Sequence, residues 1–427
     1  MRRVSEGEDC VTAVASLFPG IYVDHPVGPI EARDPLTYFE GRWSGQDLEP
    51  SGRRLRIAFA ARWERLMSQT WSGSTAGLLG GMRAVADVDD IGLHLPSHVR
   101  QALRIAYIRF RNGRLDPVWR NSRLYEAYLD HAVRGQFAKG RYDATLTIDA
   151  INDFTGPSFI FYDCAWDVLA RTAVSPERYA AGSGMSMSVL RRMTARQNAI
   201  YENVDGIFAM SQWFANCLIE KGLPASKVHL VHPGTNIDVS GDVLFRERPR
   251  RKLLYIGRTS NPAGFYRKGG DLVVEAFSIL RKEYDPELAL TMAGVRSWPA
   301  VQDIPEGVTV LGVCSTDEIR KLYDSHDLFV MPSRQECFGI VFAEAQARGL
   351  PCVGRDAYAM PEIIVPGLSG ALTPNSDPRE LADAIARVLD DDKLYEGCRQ
   401  RAPRVAEYFS WRRAAREVNS LIRSVMA

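Results

Sequence analysis

The sequence predicts an α/β protein made of two doubly wound, Rossmann-like domains. Short apolar segments typical of buried strands alternate with helical segments, and this alternation indicates parallel sheets with crossover helices. The alternation occurs twice, on either side of a polar stretch at residues 236–251. A chain of 427 residues with 46% apolar residues is long enough for two or three domains and too apolar for general disorder.

The first series defines a domain over residues 1–245, of which residues 1–50 show little periodicity. Its strands are predicted at 55–60, 144–148, 158–162, 206–210 and 228–231. The second series defines a domain over residues 246–410. Its strands are predicted from Lys252 onward and at 288–294, 308–312 and 327–330.

Two glutamates, Glu336 and Glu344, stand eight positions apart around a Phe338-Gly339 step. The pattern predicts a strand, a short loop containing Glu336, and a helix that holds Glu344 about two turns from its start. The first amides of such a helix suit a phosphate group, and carboxylates accept hydrogen bonds from hydroxyls. Acidic residues near a helix start are also common without any function. A ligand with both features is a sugar nucleotide.

A second cluster lies upstream, where the apolar segment 253–256 ends at Gly257 and Arg258, and Lys268 precedes a helical segment. Ligands of open parallel sheets bind beyond the carboxyl ends of the strands, so both cations are expected to face a crevice. Either cation alone is an ordinary surface charge. Together with the two glutamates they predict a clamp for a diphosphate.

Over most of residues 200–412 the chain resembles glycosyltransferase family 4, the retaining, nucleotide-sugar-dependent enzymes with the two-domain GT-B fold. The Glu336-x7-Glu344 pattern and the Gly257-Arg258 to Lys268-Gly269 pattern carry the resemblance. It implies that the two domains face each other across a cleft. It also implies that the last helix, residues 411–427, packs back on the first domain.

The resemblance implies roles for individual residues of the donor site, which includes Gly257. Arg258 and Lys268 would bind the donor diphosphate, Glu336 would face the transferred sugar, and Glu344 would hold the ribose hydroxyls. The other donor contacts would be backbone groups, around the base at Gly312 and Val313, and around the phosphates at Phe338, Gly339 and Ile340.

The first domain is predicted to contribute a loop at Gly73 and Ser74, which follow the first strand and open a helix as phosphate-binding turns do. A purely structural turn fits the composition equally well. The resemblance places this loop near the diphosphate and the acceptor. Trp71 can stack on an acceptor sugar, although an isolated tryptophan is more often simply packed.

Two positions depart from the pattern of the family. Relatives carry a histidine near the donor sugar, where this chain has Asp163. Asp163 can accept a hydrogen bond from a sugar hydroxyl or from the acceptor, and the ordinary alternative is a helix N-cap. Tyr358 and Ala359 stand near the place where relatives have two glycines before Pro361-Glu362, so sugar-facing backbone contacts are expected to differ there.

No cofactor and no metal are predicted, and a nucleotide-diphosphate sugar is the expected co-substrate. Asp87-Val88-Asp89 matches the Asp-x-Asp pattern of metal-dependent transferases but is predicted to lie in a polar turn. The sequence has no His-Glu-x-x-His motif and no cysteine cluster. Cations and helix amides can stabilise a leaving diphosphate without a divalent ion.

Charge and cysteine content bear on partners and location. The formal net charge of +1, from 53 basic and 52 acidic residues, gives no general attraction for nucleic acid. Seven scattered cysteines without a Cys-x-x-Cys motif favour reduced thiols. No secretory leader or long apolar span is recognised, so a cytoplasmic location is expected.

Seven arginines interleaved with apolar residues form a basic segment from Arg100 to Arg123. A solvated helix face is the favoured interpretation. Contact with an acidic acceptor, or peripheral contact with the inner face of an anionic membrane, stays open and would suit a lipid-linked acceptor.

The predicted function is transfer of a hexose-type sugar from a UDP- or GDP-sugar to a hydroxyl of a glycan, lipid-linked or small-molecule acceptor, with retention of configuration. Two alternatives stay open. One is an inactive protein that still binds sugar nucleotides, and the other is a nucleotide-sugar epimerase with the GT-B fold.

Overall fold

The computed structural model describes residues 34–37, 53–111, 114–117, 119–148, 155–168, 187–259, 262–295, 298 and 303–427. Within these ranges, the side chains at 68, 69, 72, 109–111, 114–117, 258, 259, 262 and 263 are outside the description.

The first domain is built on a parallel sheet with the strand order β2-β1-β6-β7-β8-β9, and β3 pairs with the end of β1. The strands are β1 Arg56–Trp63, β2 Asp87–Asp90, β3 Leu93–His94, β6 Ala144–Ile148, β7 Ser158–Tyr162, β8 Gly206–Ala209 and β9 Val228–Leu230. Along β1, Ile57 and Phe59 pack in one core while Ala58 and Ala60 pack in another. The sheet is therefore covered on both faces, as parallel sheets require.

The helices of the first domain are α1 Ser74–Val85, α2 Ser97–Ala106, α3 Arg123–Phe137, α4 Met187–Asn203 and α5 Gln212–Glu220. An antiparallel hairpin of β4 Ile108–Arg111 and β5 Arg114–Pro117 lies between α2 and α3. The basic segment is therefore not one helix face. Arg104 does lie exposed on α2, but three of the arginines belong to the hairpin, and their side chains are outside the described part.

The Asp87-Val88-Asp89 stretch is a strand, so its assignment to a polar turn is wrong. It forms β2, which pairs in parallel with the amino-terminal part of β1. Asp87 and Asp89 form ion pairs with Arg54 and Arg56 at 3.1 and 3.0 Å. These alternating polar side chains fit an edge strand, and the pairing was not apparent from hydrophobic pattern alone.

The second domain has a six-stranded parallel sheet with the order β12-β11-β10-β13-β14-β15. The strands are β10 Lys252–Thr259, β11 Ala289–Val295, β12 Val308–Val310, β13 Leu328–Val330, β14 Cys352–Arg355 and β15 Gly370–Thr373. Its helices are α6 Pro262–Arg267, α7 Gly270–Glu283, α8 Thr316–Ser325, α9 Ile340–Ala347, α10 Met360–Ile363, α11 Pro378–Leu389 and α12 Asp392–Tyr408, and the last helix, α13 Trp411–Met426, follows this domain in the chain. The prediction of two parallel-sheet α/β units is confirmed.

The connection between β9 and β10 contains no helix or strand and is held on the second domain by two buried arginines. Arg246 donates to the carbonyls of Tyr323 and His326 at 2.8 and 2.7 Å. Arg348 donates to the carbonyls of Ser240 and Asp242 at 3.0 and 2.9 Å. Charged donors on several carbonyls give this irregular backbone the partners that a helix or sheet would otherwise supply.

Helix α13 packs on α1 of the first domain, where Ala414, Ala415 and Val418 join the core that contains Leu78 and Met82. Small residues on both helices permit the close approach. A Cβ atom at Gly81 would lie 2.5 Å from the carbonyl oxygen of Trp411 and 2.9 Å from Ala415 Cβ. The end of the chain is therefore tied to the first domain.

We expect Gly81→Ala to lower the free energy of unfolding by about 1–3 kcal/mol, because the added methyl group overpacks this contact. Neighbouring Gly80 is exposed, and a Cβ atom there meets nothing within 4 Å. Gly80→Ala should instead raise the free energy of unfolding by about 0.5–1 kcal/mol, because alanine favours the helix. Urea denaturation of both variants tests the pair, and equal effects would contradict the packing described.

Candidate functional site

A cavity of about 590 Å³ lies between the two domains, where the carboxyl ends of strands from both sheets meet. Ten residues predicted from the sequence line it: Ser74, Asp163, Gly257, Lys268, Val313, Glu336, Phe338, Gly339, Ile340 and Glu344. Of the other predicted residues, Gly73 and Gly312 adjoin the lining without forming part of it. The side chain of Arg258 is outside the described part of the chain, so its role stays a prediction.

The amino terminus of α9 opens at this cavity. Its N-cap is Gly339, which has a φ of 92° and supplies no side-chain cap. A Cβ atom there would lie 2.7 Å from the Phe342 ring and 3.1 Å from Glu336 Cγ. Glycine therefore brings the start of the helix close to Glu336, and the first amides can meet an anion in the cavity. Glu344 is the fifth residue of α9, nearer to its start than predicted.

Lys268 and Glu336 contact each other in the cavity through the ammonium group and Oε2. Ser333 Oγ also donates to Glu336 Oε2, at 3.3 Å. The contact depends on Gly269, whose φ is 71° and where a Cβ atom would lie 2.4 Å from the carbonyl oxygen of Pro332. Without a side chain at this position, the turn after α6 can rest against the chain segment that leads to Glu336.

Glu344 is buried, and both of its carboxylate oxygens have partners. The backbone N–H of Asn236 donates to Oε1 at 3.0 Å, and Tyr323 Oη donates to Oε2 at 3.3 Å. Burial raises the pKa of Glu344 from 4.5 to about 7, and these hydrogen bonds only partly oppose the rise. Near neutral pH this carboxyl group can therefore either accept or donate a hydrogen bond.

This raised pKa predicts how stability depends on pH. The folded chain holds the Glu344 proton more tightly than the unfolded chain, so the contribution to stability is full below about pH 4.5 and is lost as the pH rises through about 7. Relative to Glu344→Gln, the wild-type free energy of unfolding should fall by on the order of 3 kcal/mol over that range. Denaturation at several pH values measures it.

The matched control is Glu275→Gln, since Glu275 is exposed on α7 in the same domain. This variant should follow the wild-type pH profile. A Glu344→Gln profile parallel to the wild type would show that Glu344 has an ordinary pKa in the folded protein.

Asp163 follows β7 and lines the first-domain side of the cavity. Burial, and to a lesser extent the negative charge of Glu336, raise the pKa of Asp163 to about 7, against the opposing charge of Lys268. The next helical residues begin at Trp166, so Asp163 is not at the cap position of that turn. Its place beside Glu336 fits the predicted role toward a ligand better than the N-cap alternative.

Trp71, in the turn before α1, and Ser74, the first residue of α1, both line the cavity. Trp71 has a φ of 49°, which is unusual for a residue with a side chain. Its ring lies 4.8 Å from that of Tyr162, centroid to centroid. Gly73 has a φ of 102° and forms the N-cap of α1. The predicted strand-to-helix turn is therefore present and faces the second domain.

Asn236 and Arg267 are among the cavity residues that the sequence analysis missed. Asn236, in the connection between the domains, donates from Nδ2 to Ser74 Oγ at 3.3 Å and accepts from Trp411 Nε1 at 3.0 Å. Arg267 lines the cavity beside Lys268, and its Nη1 donates to the carbonyl of Gln335 at 3.4 Å. A dibasic Arg-Lys pair before Gly269 was the signal available for Arg267. Asn236 gave no signal, since its contacts come from distant parts of the chain.

Glu362 joins the domains beside the cavity. Its carboxylate oxygens accept from the amides of Gln212 and Trp213, both at 2.7 Å, which are in the first turn of α5. Nearby Tyr358 has a φ of 56° and packs edge-on against the Trp213 ring at 5.1 Å. Residues 358–362 do not contribute to the cavity lining. The departure from the family pattern at residues 358–362 therefore lies at the domain interface.

The described residues include neither a candidate metal site nor a candidate membrane span. No group of three or more His, Cys, Asp or Glu side chains there could hold a metal ion. None of the described helices combines the length and the apolar character needed to span a membrane. Independence from metal ions stays a prediction.

Comparison with known structures defines the class of fold. The chain is similar to sucrose-phosphate synthase from Thermosynechococcus elongatus, with a TM-score of 0.62, 19% identity, and coverage of 87% of this chain and 99% of that chain. It is also similar to Anabaena HepE, solved in complex with UDP-glucose, with a TM-score of 0.56, 17% identity, and coverage of 87% and 100%. The two facing domains form a GT-B fold, as predicted.

Sequence comparison then identifies proteins that are similar to the second domain. Residues 244–405 match the family model of Glycosyl transferases group 1. The chain is 27% identical over 230 residues to D-inositol 3-phosphate glycosyltransferase from Corynebacterium urealyticum. This match covers 48% of this chain and 54% of that protein, so it spans about half the length of the curated relative. Membership of family 4 stays a prediction.

Proposed function

We propose that the protein is a retaining glycosyltransferase that moves a hexose-type sugar from a UDP- or GDP-sugar to a hydroxyl of an acceptor. The observation that carries the proposal is the contact between Lys268 and Glu336 at the uncapped amino terminus of α9. One interdomain cavity thus offers an ammonium group and helix amides for a diphosphate, and a carboxylate for the sugar beside it.

In the absence of donor, Lys268 and Glu336 neutralise each other. A bound diphosphate would draw the Lys268 ammonium group away from Glu336. The Glu336 carboxylate would then be able to accept hydrogen bonds from the hydroxyls of the sugar. As the bond between sugar and phosphate breaks, negative charge grows on the leaving oxygen. Lys268 and the α9 amides are positioned to stabilise that charge, and Arg267 adds a second cation to the same wall.

The acids of the cavity are compatible with an anionic donor. Asp163 and Glu344 both have pKa values raised to about 7, so at neutral pH each is partly protonated. This lowers the repulsion that a diphosphate would meet. A protonated Glu344 can donate to a ribose oxygen, and an ionised one can accept from a ribose hydroxyl.

The acceptor would attack from the side on which the diphosphate leaves, so that the configuration at the anomeric carbon is retained. The departing phosphate oxygen takes the proton of the acceptor hydroxyl in this scheme, and no protein base is needed. Glu336 orients the sugar and forms no covalent intermediate. Asp163, on the opposite wall, is the group available to hold a sugar or acceptor hydroxyl.

The relatives support this proposal by what their names state. HepE was solved with UDP-glucose, which makes UDP-sugars the first donors to test. The Corynebacterium urealyticum relative is named for a glycosyl transfer involving D-inositol 3-phosphate, which supports a hydroxylated acceptor. Glycan, lipid-linked and small-molecule acceptors are all to be tested, and only the lipid-linked form calls for membrane contact by the first domain.

The test is incubation with a panel of UDP- and GDP-sugars and acceptors, with release of the nucleotide diphosphate as the readout. Donor-dependent release, together with an anomeric configuration in the product that matches the donor, would support the proposal. Absence of both nucleotide binding and release with every donor would refute it. Binding without release would favour the inactive alternative, and conversion of the sugar without an acceptor would favour the epimerase.

A further inference from the structure

A second cavity, of about 180 Å³, lies within the first domain at the carboxyl ends of β1 and β6. Trp71 lines both this cavity and the interdomain cavity, so the two are neighbours. At about 30 Å³ for each water molecule, the second cavity has room for about six waters. That space suits one small ring.

The hydroxyl of Thr75 indicates that a polar ligand belongs in this cavity. Thr75 lies in the first turn of α1, lines the cavity, and is fully buried. Its Oγ1 has no hydrogen-bond partner among the described residues. A buried hydroxyl without a partner is energetically unfavourable. A ligand hydroxyl or oxyanion would supply the missing hydrogen bond.

The charged side chains of the lining indicate the sign of the charge that the ligand carries. Among the described residues that line the cavity, Arg62, Arg100 and Arg120 are the cations and Glu64 is the one acid. Arg120 Nη2 donates to Glu64 Oε2 at 2.8 Å, so that acid is already neutralised. Arg100 donates from Nη2 to the Leu95 carbonyl at 3.1 Å, which leaves its charge uncompensated among the bonds described. The lining therefore favours an anion, and guanidinium groups bind phosphate and carboxylate with two parallel hydrogen bonds.

Aromatic rings complete the cavity. Trp63, Trp71 and Trp119 all line it. Trp71 is held by its contact with Tyr162 and by a left-handed backbone conformation. Flat aromatic surfaces are suited to the apolar face of a sugar or polyol ring. Such a ring would lie beside Trp71, which also lines the interdomain cavity.

We propose that this cavity binds the acceptor, and that the acceptor is a hydroxylated ring that carries a phosphate or carboxylate group. The anion would lie among the arginines, one hydroxyl would bond to Thr75, and the ring would stack near Trp71. This inference rests on the proposed glycosyl transfer, because only the neighbouring interdomain cavity makes the bound molecule an acceptor.

The test uses the quenching of tryptophan fluorescence, with the interdomain cavity first saturated by UDP or GDP. Glucose 6-phosphate and glucuronate are titrated against neutral glucose. Phosphatidylcholine vesicles with and without phosphatidylinositol form a second arm. We expect an anionic probe to bind saturably, with a Kd at least about tenfold lower than the Kd of glucose. Binding confined to phosphatidylinositol vesicles would also support the proposal and would identify a lipid as the source of the anion.

Variants assign the binding to this cavity. Arg100→Gln and Thr75→Val should each weaken the anionic probe about tenfold or more, and Thr75→Val should leave the melting temperature unchanged or raised, because it removes an unpaired hydroxyl. The control is Arg104→Gln, on the exposed face of the same helix α2. It should bind as the wild type does.

Three results would overturn the inference: equal binding of glucose, no binding by any probe, or equal effects of Arg100→Gln and Arg104→Gln. Nucleotide binding in the same samples separates the two proposals. If UDP or GDP binds and no anion does, only the acceptor inference fails. If anions bind and no nucleotide does, the glycosyltransferase proposal fails.

Discussion

Lys268→Ala is expected to lower the kcat for sugar transfer by about 10²–10³-fold, which corresponds to a loss of about 3–4 kcal/mol of transition-state stabilisation. The ammonium group contacts Glu336 at the start of α9, where the diphosphate is proposed to bind. Its charge matters most when the leaving oxygen becomes negative. The loss should therefore appear in kcat as well as in KM for the donor.

The control for this prediction is Lys282→Ala, on α7 of the same domain, where Lys282 is exposed. It removes the same charge far along the helix and should retain wild-type turnover. Glu336→Gln completes the comparison, because it keeps the shape of the side chain and removes the charge that pairs with Lys268. Wild-type turnover in Lys268→Ala would show that the diphosphate binds elsewhere.

The second-domain side of the cavity could be predicted from sequence because its parts are local. Glu336, Gly339 and Glu344 belong to one loop and the helix that follows it, and their spacing fixes their relative positions. Lys268 lies at the carboxyl edge of the same sheet. Parallel strands bring such edges together without further information.

The remaining features depend on contacts between distant parts of the chain. Asn236 binds Ser74, Trp411 and Glu344, and nothing in its neighbouring sequence reveals these partners. Asp87–Asp90 lacks the apolar alternation of a strand, because its polar residues pair with arginines at the sheet edge. Thr75 lies in an ordinary helical turn, and only the fold shows that its hydroxyl is buried at a cavity.

Glu362 is a further residue of this kind, and its replacement is expected to have the largest effect on stability. Glu362→Ala should lower the free energy of unfolding by on the order of 3 kcal/mol. The carboxylate accepts from the first-turn amides of α5 at 2.7 Å, and His232 Nε2 lies 3.3 Å from Oε2. All of these groups are buried or half-buried, so removing the acid leaves them without their acceptor.

The comparison that isolates this effect is Asp377→Ala, because Asp377 is the exposed N-cap of α11 in the same domain. An exposed cap of this kind contributes about 1 kcal/mol. Glu362→Gln should fall between the two, since an amide keeps one acceptor oxygen and turns an NH2 group toward the helix amides. Because Glu362 belongs to the second domain and α5 to the first, the unfolding transition of Glu362→Ala should also broaden or divide as the domains uncouple. A single transition at the wild-type midpoint would show that other contacts suffice to hold the cleft together.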